Sequence, residues 1–244
     1  MFHNENDLVA LLTDLRISGR QQSGLDHRLV PANKDQAYQI AQKVADQLGW
    51  EVVGWKIAAN KPRIQAQLRT DSPIYGRVFS GKILHSPVTV EYSKQCSPIP
   101  EPEYMVLLGS DLPSRSTPYS RAEIIKSVDA IHIGMELAEC RFVHDEFFPP
   151  LSAILADGSG GGSLVVGPAI LDWENQDISN QRIILSANGL ALHWLANELS
   201  SKGSGLKASQ IISTGTLTGM LRPKVGEVFI ADFGPFGEVQ ATYA

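Results

Sequence analysis

Val52-Val53-Gly54-Trp55-Lys56-Ile57 is the stretch at which the chain changes character. Upstream of it, apolar residues recur at helical spacing. Leu8, Leu11, Leu12 and Leu15 share one face of a helix predicted over 7–17, and Ile40, Ala41, Val44 and Leu48 share one face of a second over 35–48. Gly49 supplies a helix stop. From residue 52 onward, short runs with strand patterning take over, interrupted by a helix over 62–69 that begins at Pro62. Strands are predicted at 52–57, 86–92, 103–108, 131–137, 164–167, 182–187, 227–232 and 237–243, the last two as a hairpin-like ending. Ser120-Arg121-Ala122-Glu123 is a capping-box pattern, opening a helix that carries Ile124, Ile125 and Val128 into Ala130. A further helix holds Leu192, Leu195, Ala196 and Leu199. Helices in front and many short strands behind imply an α+β fold with a mostly β core. The organisation expected is an N-terminal helical segment, 1–50, followed by one continuous core, 51–244.

The 244 residues are 43% hydrophobic and 19% charged, enough to bury a substantial core. A net charge of -5 with no Lys/Arg cluster offers no footprint for nucleic acid or for an anionic membrane surface. The two cysteines, Cys96 and Cys140, and the lack of an apolar leader after Met1 give the expectation of a cytoplasmic chain with reduced thiols.

Glu101-Pro102-Glu103 is the first constellation with chemical content. In extended backbone, residues two apart point to the same face, so both carboxylates converge on one point. Such a pair is costly unless a proton or cation compensates it. Hard oxygen ligands without nearby His or Cys favour Mg²⁺, Mn²⁺ or Ca²⁺ over Zn²⁺. The alternative is a solvated strand start. Glu136 sits in the apolar run Ile133-Gly134-Met135-Glu136-Leu137, where a carboxylate needs a partner: either a metal shared with Glu101 and Glu103 or a cation such as Arg141. Glu139 and Arg141 read as a supporting pair. Lys56, in an otherwise apolar strand, is a partly buried ammonium placed for proton transfer, or a lysine snorkelling from a strand end. Ser159 and Thr216 lie among glycines that let a ligand approach the backbone, or else sit in simple turns. The glycine run 158–162 precedes a strand and lacks G-K-[ST], so it is a loop over a site and not a phosphate loop. His132 reads as a satisfied core histidine.

In their order along the chain, Gly54-Trp55-Lys56-Ile57, Pro100-Glu101-Pro102-Glu103, the stretch from Glu136 to Arg141, the loop from Asp157 to Gly167, and Gly215-Thr216-Leu217-Thr218-Gly219 with Gly226 resemble the hydratase/decarboxylase branch of the fumarylacetoacetate hydrolase superfamily, over nearly the whole chain. The resemblance implies a layered, mostly β fold, a divalent cation (Mg²⁺ or Mn²⁺) on Glu101, Glu103 and Glu136, Lys56 in the active site, and a homo-oligomer. It further implies a small 2-keto acid substrate, with hydration of a 2-hydroxy-2,4-dienoate to a 4-hydroxy-2-oxo acid as the reaction. Decarboxylation of a 2-oxo-3-enedioate is the alternative, and a catalytically impaired binding member is the third possibility. Three positions depart from the family pattern. Ile74 stands where an acid is usual, Gly158 stands in place of an asparagine, and the segment Asn188-Gly189-Leu190-Ala191 is abbreviated.

Overall fold

A computed structural model describes residues 2–176, 189–217 and 221–244. The strand expected at 182–187 lies outside them, as do Asn188, Thr218 and Gly219. The two leading helices are α1 (Phe2–Ser18) and α2 (Lys34–Leu48). Asn33 caps α2 through its side chain, and Gly49 ends it in the left-handed region at φ 64°. Helix α5 (Leu151–Ala156) packs on α2, and Leu8, Leu12, Ile40, Val44, Ala153 and Leu155 form a buried cluster between these helices.

The rest is built around a seven-stranded mixed sheet. In chain order its strands are β1 (Val52–Ala58), β2 (Ile74–Phe79), β3 (Ile83–His85), β5 (Ile99–Leu108), β6 (Val128–Ala138), β7 (Ser163–Ala169) and β8 (Ile211–Ser213). Spatially they run β2-β1-β8-β5-β6-β7-β3. Strands β4 (Val88–Val90), β9 (Val228–Asp232) and β10 (Glu238–Tyr243) form a second sheet, with β9 and β10 paired antiparallel as the hairpin-like ending requires. Helices α3 (Pro62–Leu68), α4 (Arg121–Lys126) and α6 (Gly189–Ser201) complete the chain. The fold is thus α+β with a layered, mostly β core. Among the described residues, no helix is long and apolar enough to cross a membrane.

One face of the large sheet carries the main core: Trp55 and Ile57 from β1, Tyr104, Val106 and Leu108 from β5, Ile131, Ile133, Met135 and Leu137 from β6, and Leu192, Leu195 and Leu199 from α6. The alternation of side chains then sends Lys56, Glu101, Glu103, Glu136 and Ser213 to the opposite face.

Several boundaries differ from the sequence-based expectations. The strand placed at 86–92 shrinks to Val88–Val90, because Pro87 has no N–H for the ladder. Val128 does not belong to the helix; it opens β6, since Ser127 closes α4 by giving its N–H and hydroxyl back to Ile124. Strand β2 and helix α5 carried too weak a signal to be expected: Pro73 and Gly76 look like turn residues, and α5 is only six residues long.

Candidate metal centre and active site

The site grows from the pairing of β5 with β6. Glu101 lies directly opposite Glu136, and Glu103 opposite Gly134. Cross-strand partners have neighbouring side chains, and Glu103 is two residues from Glu101 on the same face, so three carboxylates meet. One oxygen from each falls within 4.8 Å of the others. The prolines are tolerated because β8 pairs only with Met105–Leu107 of β5. Along Pro100 to Glu103 that side of the strand is open, and the segment after β8 fills it irregularly: Leu217 donates to the Pro102 carbonyl at 3.0 Å and Thr214 to the Tyr104 carbonyl at 3.2 Å.

Glu103 and Glu136 are each 1% exposed. Ser213 Oγ donates a short hydrogen bond to Glu103 Oε2, which also accepts from the Gly215 N–H at 2.8 Å. The other Glu103 oxygen and both Glu136 oxygens have no hydrogen-bond partner among the described residues. The nearest cation is Lys56 Nζ, 3.7 Å from Glu136 Oε1 and itself buried. One ammonium cannot neutralise three clustered carboxylates. Burial, reinforced by the Glu136 charge, pushes Glu101 up to about 7. Glu103 is raised well above the ordinary range by burial and by both neighbouring carboxylates, and Glu136 is raised by burial against the opposing pull of Lys56. Orphaned, desolvated oxygens converging on one point are the donor set a hard divalent cation takes, so these residues fit the cation expected of them.

A consequence follows for stability. A carboxyl raised in the folded state is protonated in both states below about pH 4.5 and imposes no penalty there. As pH rises from that value through about 7, the unfolded chain ionises first and the metal-free fold loses stability. The gain in Tm on adding Mg²⁺ or Mn²⁺ in place of EDTA is therefore expected to grow between pH 5 and 7. A gain independent of pH would contradict the assignment.

Gly158 to Gly162 lie over Lys56. A Cβ on Gly160 would come within 3.8 Å of Lys56 Nζ, and one on Gly76, the β2 partner of Lys56, would meet the Gly158 carbonyl oxygen at 2.2 Å. Gly76 thus has to be glycine for the loop to seat. Ser159 anchors the loop from its hydroxyl to the Tyr75 carbonyl at 2.6 Å and from its N–H to the Ile154 carbonyl at 2.8 Å. Both of its donors are thus engaged in holding the loop. Arg141 works from below: its Nε reaches Asp157 Oδ1 at 2.8 Å, and its Nη2 reaches the carbonyls of Glu139 and Gly161, each at 3.0 Å. Glu139 Oε2 is 4.0 Å from Arg141 and accepts the Cys96 N–H at 3.0 Å. Asp157, not Glu139, is therefore the main partner of Arg141. Arg16 of α1 joins Asp157 at 3.6 Å, tying the N-terminal helix to the loop; this link had no signal in the sequence. Replacing Arg141 by methionine leaves buried charge on Asp157 and should cost about 3–5 kcal/mol in urea unfolding. A loss under about 1 kcal/mol would show that Arg16 suffices.

Ile74 is 3% exposed and packs in the helical cluster, so the apolar residue at this position serves the core. His132 Nδ1 donates to the Gly167 carbonyl, 3.0 Å away, in keeping with a satisfied histidine. Thr216 lies past Gly215, and its carbonyl accepts from Lys61 Nζ at 3.1 Å. Lys61 was not anticipated from the sequence. Cys96 and Cys140 are free thiols.

No family model matches the chain. It is 26% identical to 2-keto-4-pentenoate hydratase 1 of Dechloromonas aromatica (strain RCB) over 256 residues, covering 97% of this chain and 95% of the relative. It superposes on 4-oxalocrotonate decarboxylase from Pseudomonas putida G7, complexed with magnesium and adipate, with a TM-score of 0.89 at 18% identity, covering 100% of this chain and 98% of the other. Fumarylpyruvate hydrolase from Pseudomonas aeruginosa, in complex with Mn²⁺ and pyruvate, aligns with a TM-score of 0.52 at 12% identity, covering 78% and 88% of the two chains. The architecture is therefore the fumarylacetoacetate hydrolase-like fold. Over nearly its full length the chain is similar to curated 2-keto-4-pentenoate hydratases, at 26% identity to one and 27% to another.

Proposed function

We propose that the chain is a divalent-metal-dependent lyase that hydrates a 2-hydroxy-2,4-dienoate of the 2-keto-4-pentenoate type to a 4-hydroxy-2-oxo acid, in the catabolism of aromatic compounds. The observation that carries this reading is the cluster of Glu101, Glu103 and Glu136, with partnerless buried oxygens and a buried ammonium beside it. A Mg²⁺ or Mn²⁺ ion held there supplies Lewis acidity toward the carboxylate and 2-oxo oxygens of a 2-oxo acid. Lys56 Nζ moves the proton between the 2-hydroxyl and the chain carbon during tautomerisation, and burial under the glycine loop keeps it from exchanging freely with water. Ser159 positions that loop, and Thr216 lines the substrate side of the cluster. Arg141 holds the loop through Asp157 and the Gly161 carbonyl, and the Glu139 N–H donates to the Gly160 carbonyl. The family resemblance also supports a cytoplasmic homo-oligomer.

Decarboxylation of a 2-oxo-3-enedioate calls on the same cluster, because charge develops on the same oxygens. The test is turnover of freshly generated 2-hydroxypenta-2,4-dienoate and of oxalocrotonate, followed by ultraviolet absorbance with Mg²⁺, with Mn²⁺ and with EDTA. Metal-dependent formation of the 4-hydroxy-2-oxo acid supports the hydratase. Carbon dioxide from the diacid alone replaces it with the decarboxylase, and turnover of neither overturns both.

A further inference from the structure

Lys61 stands beside the segment that grips the carboxylate cluster, and its charge is left over once a divalent cation and Lys56 balance the three carboxylates. It is the residue before α3, half-buried, three positions beyond the end of β1. Its neighbour Asn60 donates from Nδ2 to the Thr214 carbonyl at 2.9 Å, and its own Nζ donates to the Thr216 carbonyl at 3.1 Å. Those two carbonyls belong to the segment whose Gly215 N–H grips Glu103 and whose Leu217 N–H is bonded to Pro102. Two independent backbone attachments therefore hold Lys61 beside the strand that carries Glu101 and Glu103. Its charge is felt at Glu101, together with the larger influence of Lys56. Among the described residues, no carboxylate lies within ion-pair distance of Lys61 Nζ. An ammonium has three N–H donors, and the Thr216 carbonyl takes one. Arg141 is committed to Asp157, whereas Lys61 keeps donors and charge for a ligand.

We propose that Lys61 is a specificity-determining residue that reads a second negative charge on the substrate, so that this site prefers a 2-oxo dicarboxylate to a 2-oxo monocarboxylate. The inference rests on the reading of the cluster as a metal-dependent 2-oxo acid site and refines its substrate: in hydration the preferred dienoate carries a second carboxylate, and in decarboxylation the enedioate already does. A charge-assisted contact of this kind is strong enough to discriminate by about tenfold even at a half-exposed position.

The experiment is calorimetric titration of the Mg²⁺-loaded protein with 2-oxoglutarate and 2-oxoadipate, against 2-oxopentanoate and 2-oxohexanoate, which match them in carbon number and lack the second carboxylate. At one or both lengths the diacid is expected to bind about tenfold more tightly. Lys61→Met should abolish that preference while leaving monoacid affinity and Tm near wild type, and Lys61→Arg should retain it. A lysine that merely staples α3 to the Thr216 segment would instead weaken all four ligands together on substitution, and that result overturns the proposal. Equal binding of diacid and monoacid by the wild type at both lengths overturns it without any variant. If the protein binds Mg²⁺ but none of the four acids, the 2-oxo acid reading fails and takes this inference with it. Should Lys61→Met not fold, Lys61→Gln carries the same comparison.

Discussion

Replacing Lys56 by methionine should lower turnover of the dienoate by about 10²–10⁴-fold, the range that a positioned proton-transfer group contributes. Metal binding should survive. Methionine keeps the volume of the lysine stem within a well-packed strand, and the cation still meets three carboxylates. Loss of the ammonium removes the nearest positive charge, 3.7 Å from Glu136, that offsets the cluster in the metal-free protein, so the variant should depend more on metal for its stability than the wild type does. Calorimetric Mg²⁺ titration beside steady-state kinetics separates the two effects. A variant that retains wild-type turnover removes Lys56 from the mechanism. One that loses turnover and metal together makes Lys56 an architectural residue of the cluster.

Glu103→Gln is expected to move the metal-free and metal-loaded proteins in opposite directions. The glutamine oxygen can accept from Ser213 and Gly215 as Glu103 Oε2 does, and its amide N–H groups then replace the partnerless Oε1 and face two carboxylates that accept them. With one buried acid gone, the metal-free Tm should rise. The gain is bounded at roughly 3 kcal/mol at pH 7, the work of protonating a carboxyl whose ordinary value is near 4.5. The metal-loaded protein should lose at least the 10–100-fold in affinity that disturbing even a ligand's supporting partners costs, and activity should fall with it. Thermal denaturation in EDTA and in excess Mg²⁺ reads both changes. A fall in Tm under both conditions would mean that Glu103 is held by hydrogen bonds for structure alone.

Patterning over a few residues was legible in the sequence. The helical spacing of Leu8, Leu11, Leu12 and Leu15 and the stop at Gly49 located the front helices, and the change at Val52 located the first strand. The two-residue spacing of Glu101 and Glu103 put both carboxylates on one face of β5, because that alternation is a property of extended backbone itself. The order of motifs along the chain was enough to suggest the superfamily. Sequence could not decide whether Glu136 answers to a metal or to Arg141, because the answer lies in a register. Pairing Glu101 with Glu136 is dictated by the burial of Tyr104, Ile133, Met135 and Leu137 on the other face of the sheet. A slip of one residue would turn Glu136 into that apolar core. Likewise, the choice of Asp157 over Glu139 by Arg141 and the meeting of Lys61 with Thr216 join segments far apart in the chain. What the sequence by itself determined were features whose cause is local backbone geometry. What only the tertiary structure decided were the partners of its buried charges, because the cost of desolvating a charge depends on everything packed around it.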